Sequence, residues 1–252
     1  MKYSELVEVY ENLSKTSGRL DKTDIISNFL KHLRKDDDPE WIYLLKGKVV
    51  ADYDVREFGI SRQLVIKIIS KASGVDVKEV IKLFNKIGDL GGVAEELMKS
   101  KRQSTLYSKD LTIKKIFENL RKIFEMGGKG SVDKKVSLVA ELLSNCNGNE
   151  AKWIIRTVLG DLRIGVADNT LRDSLAEAFS NGDKKSLSAK IEKVYDLSID
   201  FAAIFEALKK GEKELEKVSL VRGKSLNVML AVNVNEIEEA FIICGKPAAL
   251  EH

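Results

Sequence analysis

The chain has 252 residues, of which 44% are hydrophobic, 32% are charged and only two are proline. Its 42 basic and 39 acidic residues leave a net charge of +3, so a nucleic-acid surface would need local clustering of basic residues. The two histidines and the distant cysteines, Cys146 and Cys244, match no zinc spacing and no histidine-based catalytic set, and we expect no metal site. We expect a cytoplasmic protein that binds no membrane, because no signal peptide opens the chain and no apolar run is long enough for a span.

Apolar residues recur at helical spacing along most of the chain. Alternating patterns typical of strands are scarce before Val218. Glycine, serine and Asx residues punctuate the periodic segments in the way typical of helix ends. The sequence therefore predicts an all-α body. The predicted helical segments are YSELVEVYENL, TDIISNFLKHL, RQLVIKIISKA, LTIKKIFENLRKIFEM, KKVSLVAELLSN, EAKWIIRTVL, LRDSLAEAF and LSAKIEKVY.

This body also contains an internal duplication. The segment GRLDKTDIISNFLKHL is similar to GSVDKKVSLVAELLSN, and the only two tryptophans stand at the same 112-residue separation as the two DK pairs. Further on, the glycines of FGI and IGV lie 106 residues apart, so the second repeat has a loop about six residues shorter. Four anchors in one order predict a pseudo-twofold domain duplicated over about 18–75 and 130–182. The anchors pair Asp21, Lys22, Trp41 and Gly59 with Asp133, Lys134, Trp153 and Gly165.

Each repeat carries a glycine between two apolar residues, directly before a helix start. Phe58-Gly59-Ile60 is the first glycine turn and Ile164-Gly165-Val166 is the second. A glycine lets the backbone approach a partner, and the free N–H groups of the next helix can bind an anion. Two such turns related by a dyad suit the phosphates of two antiparallel DNA strands across the minor groove. The alternative is that each is an ordinary helix–helix turn.

Basic residues cluster beside these turns. The loop GGKGSVDKK joins flexible glycines and three lysines to a helix start, a composition that suits phosphate. The alternative is a plain loop with a solvated lysine face. No aromatic ladder for single strands is visible, which favours duplex backbone. The clustered basic residues are Arg19, Lys22, Arg62, Lys67, Lys129, Lys134, Lys135 and Arg163.

The segments RTVLGDLRIGVADNTLRDSLAEAF, GKGSVDKK and GDLGGVAEEL resemble the N-terminal DNA-binding domain of archaeal and eukaryotic ATP-dependent DNA ligases. The archaeal replicative form is the most similar, and the resemblance covers essentially the whole chain. It implies an all-helical, pseudo-symmetric domain that grips the minor groove of nicked double-stranded DNA. The adenylation and OB-fold domains of the parent chain would complete a ring around the duplex. ATP and Mg²⁺ would then be cofactors of the parent, with none in this part.

The resemblance implies that the turns over residues 59–62 and 165–169, and the loop over residues 129–135, contact DNA. Combined with the basic cluster, the predicted DNA-binding residues are Arg19, Lys22, Gly59, Ser61, Arg62, Lys67, Lys129, Gly130, Ser131, Lys134, Lys135, Arg163, Gly165, Ala167 and Asn169.

The C-terminal stretch KVSLVRGKSLNVMLA resembles the family's link into the adenylation domain, whose first strand would begin at Met229-Leu230-Ala231. NEIEEAFIICG then predicts a short helix and KPAALE the next strand. In the family this strand leads to the nucleophilic lysine of a Lys-x-Asp-Gly motif, which occurs nowhere in this sequence. We therefore expect a non-catalytic fragment, with a helical domain over 1–217 and a linker plus adenylation-domain fragment over 218–252. Glu251 and His252 could be remnants of a purification tag.

A second motif lies in KRQSTLYSKDLT. Gln103, Leu106 and Tyr107 resemble the short sliding-clamp-binding motif of archaeal ligases, in which an apolar residue and an aromatic follow a glutamine. The eukaryotic box has two aromatics, whereas this segment has leucine and then tyrosine. The alternative is an exposed loop whose Tyr107 packs on a neighbouring helix.

Two other classes of function compete with DNA binding. A helical interaction scaffold would need only the duplicated amphipathic helices, and it predicts no salt-sensitive binding to duplex DNA. An independent enzyme is disfavoured, because neither GxxxxGK[ST] nor GxGxxG occurs and no Ser/His/Asp or Cys/His set is present.

Overall fold

The computed structural model describes residues 1–33, 37–99, 111–128, 130–224 and 236–245. Within these ranges the chain forms α-helices and two 3-10 helices, Pro39–Lys46 and Glu212–Lys217, so the predicted all-α class is confirmed. The α-helices are α1 (Tyr3–Lys15), α2 (Arg19–His32), α3 (Arg62–Ser73), α4 (Val77–Ile87), α5 (Leu90–Lys99), α6 (Ile113–Glu125), α7 (Ser131–Ser144), α8 (Gly148–Val158), α9 (Asp168–Phe179), α10 (Lys184–Ser198), α11 (Phe201–Lys210) and α12 (Ile237–Cys244).

The helices pack reciprocally between the two halves of the chain. Helix α2 of the first half packs on α9 of the second, and α7 of the second half packs on α3 of the first. In the same way α5 packs on α8, while α11 packs on the 3-10 helix Pro39–Lys46. Contacts of α1 with α8 and of α6 with that 3-10 helix complete the correspondence. Equivalent helices thus make equivalent contacts, as a pseudo-twofold axis requires.

One pair of backbone hydrogen bonds joins the starts of the two halves. The Tyr3 N–H donates to Leu111 O over 2.7 Å, and the Ile113 N–H donates to Met1 O over 3.2 Å. These bonds form an isolated antiparallel bridge just before α1 and α6. Because the two bonds are reciprocal, the bridge lies where a twofold axis would relate α1 to α6.

The two tryptophans hold comparable positions in helices of different type. Trp153 is fully buried in α8, with its ring centroid 5.0 Å from that of Tyr10. Trp41 is buried in a 3-10 helix that begins with Pro39 and is followed by the left-handed Gly47. The proline and the glycine limit the length of this helix at its two ends, whereas α8 continues for three α-helical turns.

Several helices lie outside the segments that the periodicity analysis predicted. Helices α4, α5 and α11 are additional, and each packs on elements of the duplicated body. The predicted short helix near the C-terminus is present as α12. Of the predicted strands, Met229-Leu230-Ala231 and KPAALE lie outside the described residues, and the division at residue 217 stays a prediction.

The segment after the second 3-10 helix is attached to the body near its end. Lys224 Nζ lies 3.4 Å from Asp200 Oδ2 and 4.3 Å from the centroid of the Tyr53 ring. No helix in the described ranges is long and apolar enough to cross a membrane. The same ranges hold no group of three or more metal-ligating side chains.

Candidate nucleic-acid interface

Both glycine turns have the same backbone geometry. Gly59 has φ 64° and Gly165 has φ 62°, in the left-handed region where a side chain is strained. Each glycine is exposed, while the apolar residues before them, Phe58 and Ile164, are buried. The apolar residues therefore anchor each turn in the core, and the glycine backbone faces solvent.

Three of the four helices that begin beside these turns have no capping side chain at the residue before the helix, although each has an aspartate in its first turn, Asp21, Asp133 or Asp168. Helices α2, α7 and α9 follow Gly18, Gly130 and Ala167, and no side chain accepts a hydrogen bond at those caps. Helix α3 has only a long bond of 3.4 Å, from the Leu64 N–H to Ser61 Oγ. An uncapped helix start presents backbone N–H donors and a partial positive charge, which together favour an anion.

Most helices elsewhere in the body are capped. Helices α4, α6, α8, α10 and α11 each have a cap side chain that accepts from the first-turn backbone. Near the glycine turns only Ser61 accepts in this way, and the residues before α2, α7 and α9 supply no capping side chain. The capping residues of the other five helices are Asp76, Thr112, Asn147, Asp183 and Asp200.

A lysine from the opposite half holds each turn. Lys22 on α2 donates from Nζ to Ile164 O over 2.7 Å, and its distance to Gly165 O is 3.3 Å. Lys135 on α7 donates to Phe58 O over 2.6 Å. The first cluster is therefore the first glycine turn with the starts of α3 and α7. The second cluster is the second glycine turn with the starts of α2 and α9.

The structure separates two adjacent lysines that the sequence had grouped as phosphate contacts. Lys134 is exposed on α7. Lys135 is only 8% exposed, and burial lowers the pKa of its amine. Its charge is directed at a backbone carbonyl under the turn. Lys135 thus differs from a surface cation that could meet a phosphate directly.

The first cluster carries unpaired positive charge. Arg62 and Lys67 on α3 and Lys134 on α7 are exposed. None of the three forms an ion pair with an acidic residue in the described part of the chain. Lys71 on the same helix donates to Ser137 Oγ over 3.0 Å and so links α3 to α7. These side chains and the open helix starts make this cluster attractive to phosphate.

In the second cluster both arginines are paired with carboxylates, while Lys22 donates to backbone carbonyls. Arg19 forms a hydrogen-bonded ion pair with Asp173 of α9, which joins α2 to that helix. Arg163, itself left-handed with φ 56°, pairs with Asp161 over 2.8 Å. Asp168 stands at the first position of α9, where α3 has Arg62, and it pairs with Lys46. The two clusters therefore share backbone geometry but differ in available charge.

The remaining predicted contacts fall at the helix starts or outside the described residues. Ser131 opens α7 and its N–H donates to Gly128 O over 3.2 Å, while Ala167 and Asn169 are exposed at the start of α9. The predicted contact Lys129 and the predicted clamp motif, Gln103, Leu106 and Tyr107, lie outside the described residues.

Lys46 was missed by the sequence analysis. Its amine lies 2.6 Å from Asp52 Oδ2 and also pairs with Asp168 at the start of α9. It thereby neutralises a carboxylate that would otherwise repel phosphate beside the second turn. A lone lysine after the apolar run WIYLL was the only local signal.

Comparison with known proteins identifies relatives of this architecture. A family model described as "DNA ligase N terminus" matches residues 2–176. The chain is 38% identical over its whole length to a DNA ligase of Nanoarchaeum equitans, 39% to one of Thermococcus fumicolans and 33% to one of Nitrosopumilus maritimus. It covers 43%, 44% and 43% of those proteins, and so spans less than half the length of these curated relatives.

Proposed function

The chain belongs to the DNA ligase N-terminal family, and from that premise we propose that it is the non-catalytic DNA-binding portion of an ATP-dependent DNA ligase. It grips the minor groove of nicked duplex DNA through backbone phosphates, so that the adenylation domain of the parent can seal the nick. The observation that carries this proposal is the pair of glycine turns, each flanked by open helix starts and related by the pseudo-twofold packing.

The symmetry of the two clusters suits the symmetry of duplex DNA. The two strands run antiparallel, so a pseudo-twofold protein can present the same backbone geometry to each. Contacts from N–H groups and basic side chains to phosphates fix position on the duplex without reading sequence. A ligase must act on nicks in any sequence context, and this mode of binding meets that need.

The two clusters would contribute to DNA binding in different ways. The first, with exposed Arg62, Lys67 and Lys134, would supply most of the long-range attraction to the phosphates. The second, whose arginines are paired and whose Lys22 donates to backbone carbonyls, would rely on the backbone N–H groups of α2 and α9. We assign ATP, Mg²⁺ and the covalent chemistry to the adenylation domain of the parent chain, and ring closure to that domain and the OB-fold domain.

The test is a fluorescence-anisotropy titration with nicked and intact duplex DNA over a salt series. We expect sequence-independent binding whose logarithmic salt slope corresponds to about 3 to 6 phosphates. Lys134→Glu should weaken binding and flatten the slope. The matched control is Lys213→Glu, which makes the same charge change at an exposed lysine on the 3-10 helix Glu212–Lys217. It should leave the slope unchanged.

The alternative function is a helical interaction scaffold, such as a sliding-clamp-binding module acting through Gln103, Leu106 and Tyr107. It predicts that duplex DNA does not bind even at low salt and that Lys134→Glu has no effect. That outcome would contradict the proposal. A titration with the clamp protein, against the variant Tyr107→Ala, would then test the alternative directly.

A further inference from the structure

Two large apolar side chains are exposed at equivalent points of the two clusters. Leu20 is 74% exposed and Val132 is 45% exposed. Each is the second residue of its helix, α2 and α7 respectively, and the two stand 112 residues apart in sequence. No other two exposed large apolar residues among the described ones share that separation.

Leu20 and Val132 lie beside the backbone N–H groups at the starts of α2 and α7. Cα–Cβ bonds in a helix tilt towards its N-terminus, so a side chain at the second position leans towards the open N–H groups. Helices α2 and α7 start at Gly18 and Gly130, neither of which supplies a capping side chain. Lys22 and Lys134 follow two residues later in each helix. Each apolar residue thus lies near an uncapped helix start and a lysine, and an aspartate, Asp21 or Asp133, directly follows it.

A single exposed apolar residue is common on protein surfaces and has no special meaning. Here, however, an exposed apolar residue occurs at both of the symmetry-related helix starts. A polar or charged residue there would cost nothing in an isolated domain. The sugars between successive phosphates form the walls of the minor groove. A sugar is therefore the group that an apolar side chain beside a phosphate would contact on each strand.

On the basis of the proposed function, we infer that Leu20 and Val132 pack against the deoxyribose rings of the two strands and make the chain prefer DNA over RNA. The C2′ position of deoxyribose is apolar. In RNA the 2′-hydroxyl occupies the minor-groove face, and an apolar side chain against it removes its hydrogen-bonding water without replacing it.

The experiment compares binding of a DNA duplex and of an RNA–DNA hybrid of the same sequence at one salt concentration. The proteins are the wild-type chain, Leu20→Ala, Val132→Ala and the double variant. Leu197→Ala on α10 is the matched control, because Leu197 is 44% exposed and lies away from both turns in sequence. Melting temperatures should be unchanged throughout, since all three side chains are exposed.

We expect the wild-type chain to bind the DNA duplex more tightly than the hybrid. Each single variant should lose about threefold to tenfold in affinity for the DNA duplex. It should lose less affinity for the hybrid, so that the ratio of the two affinities becomes smaller. The salt slope should not change, because no charge is removed. Leu197→Ala should match the wild type on both duplexes.

Equal losses on both duplexes, or no loss on either, would overturn the inference and leave the proposed function standing. A wild-type chain that binds no duplex DNA would contradict the proposed function and this inference together. The wild-type titration therefore separates the two failures.

Discussion

Lys22 and Lys135 take one role at this surface, and the exposed Lys134 takes another. Both amines donate to carbonyls of a glycine turn contributed by the other half of the chain. Burial opposes the charge of Lys135 and lowers its pKa, whereas its neighbour Lys134 is exposed. Buried donors of this kind fix the backbone that bears the N–H groups, and exposed amines attract phosphate. Lys135 can therefore position the turn while its neighbour Lys134 attracts phosphate.

The first prediction separates these roles. We expect Lys135→Met and Lys22→Met to weaken duplex binding by about threefold to tenfold, since a turn that loses its hydrogen bond presents its N–H groups less favourably. The logarithmic salt slope should stay that of the wild-type chain. In contrast, Lys134→Met should reduce the slope by about one phosphate contact.

Anisotropy titrations at several salt concentrations measure both quantities, and circular dichroism checks that each variant folds. If Lys135→Met lowered the slope as much as Lys134→Met, Lys135 would be a direct phosphate contact, as the sequence first indicated.

At the scale of elements, the close approach of α5 and α8 depends on two glycines. A Cβ atom at Gly148 would lie 2.6 Å from Glu95 O and 2.5 Å from Lys99 Cγ. A Cβ atom at Gly91 would lie 3.0 Å from Lys152 O. The helices are thus in backbone contact on both sides. This approach matters for the interface because α8 leads directly into the second glycine turn.

We therefore expect Gly148→Ala to destabilise the fold by about 1 to 3 kcal/mol. Alanine is the better helix former, so intrinsic propensity alone predicts the opposite sign. Urea unfolding measures the change. The control is Gly127→Ala, because a Cβ atom there meets nothing within 4 Å. Equal or greater stability of Gly148→Ala would show that α5 and α8 separate without cost.

At the scale of the whole molecule, one partly buried ionic network joins the halves. Asp52 accepts from Lys46 and Lys48 over 2.6 Å each and from the Tyr195 hydroxyl over 3.0 Å. Lys46 also pairs with Asp168 of α9. Burial of the Asp52 carboxyl opposes its ionisation, but hydrogen bonds and charge from the two lysines outweigh burial and lower its pKa. Folding is therefore linked to ionisation of this carboxyl.

A lowered folded-state pKa sets the sign of the pH dependence. The stability that Asp52 contributes is fully present above its unfolded pKa of about 3.9 and is lost as pH falls through the folded value. We expect Asp52→Asn to be less stable than the wild-type chain at pH 7 by about 1 to 2 kcal/mol, because Lys48 is partly exposed to solvent and Lys46 keeps its pair with Asp168. The difference should shrink progressively below about pH 4.

Urea unfolding at pH 7, 5 and 3 measures this difference. Asp24→Asn serves as the control, because Asp24 is exposed on α2. A deficit for Asp52→Asn that is independent of pH would show that the loss is one of packing and not of charge.

Much of the fold could be predicted from the sequence. Side-chain periodicity depends only on local geometry, so the segments of α1, α2, α3 and α6 to α10 could be identified from their apolar spacing. The anchors of the repeat likewise located both glycine turns, since an apolar-Gly-apolar triplet before a helix start is a local pattern. Helix α5 was harder to predict, because Gly91 and Gly92 weaken helix propensity and their packing partner is remote in sequence.

The sequence by itself determined the all-α class, the doubled pattern and the family, because these depend on local spacing and on residue identity. The tertiary structure alone decided that α2 packs on α9 and α3 on α7, so that each turn is held by a lysine from the other half. It also decided that Lys135 is buried while Lys134 is exposed, and that Lys46 neutralises Asp168. These pairings join residues far apart in sequence, and a long-range contact leaves no periodic trace in a single chain.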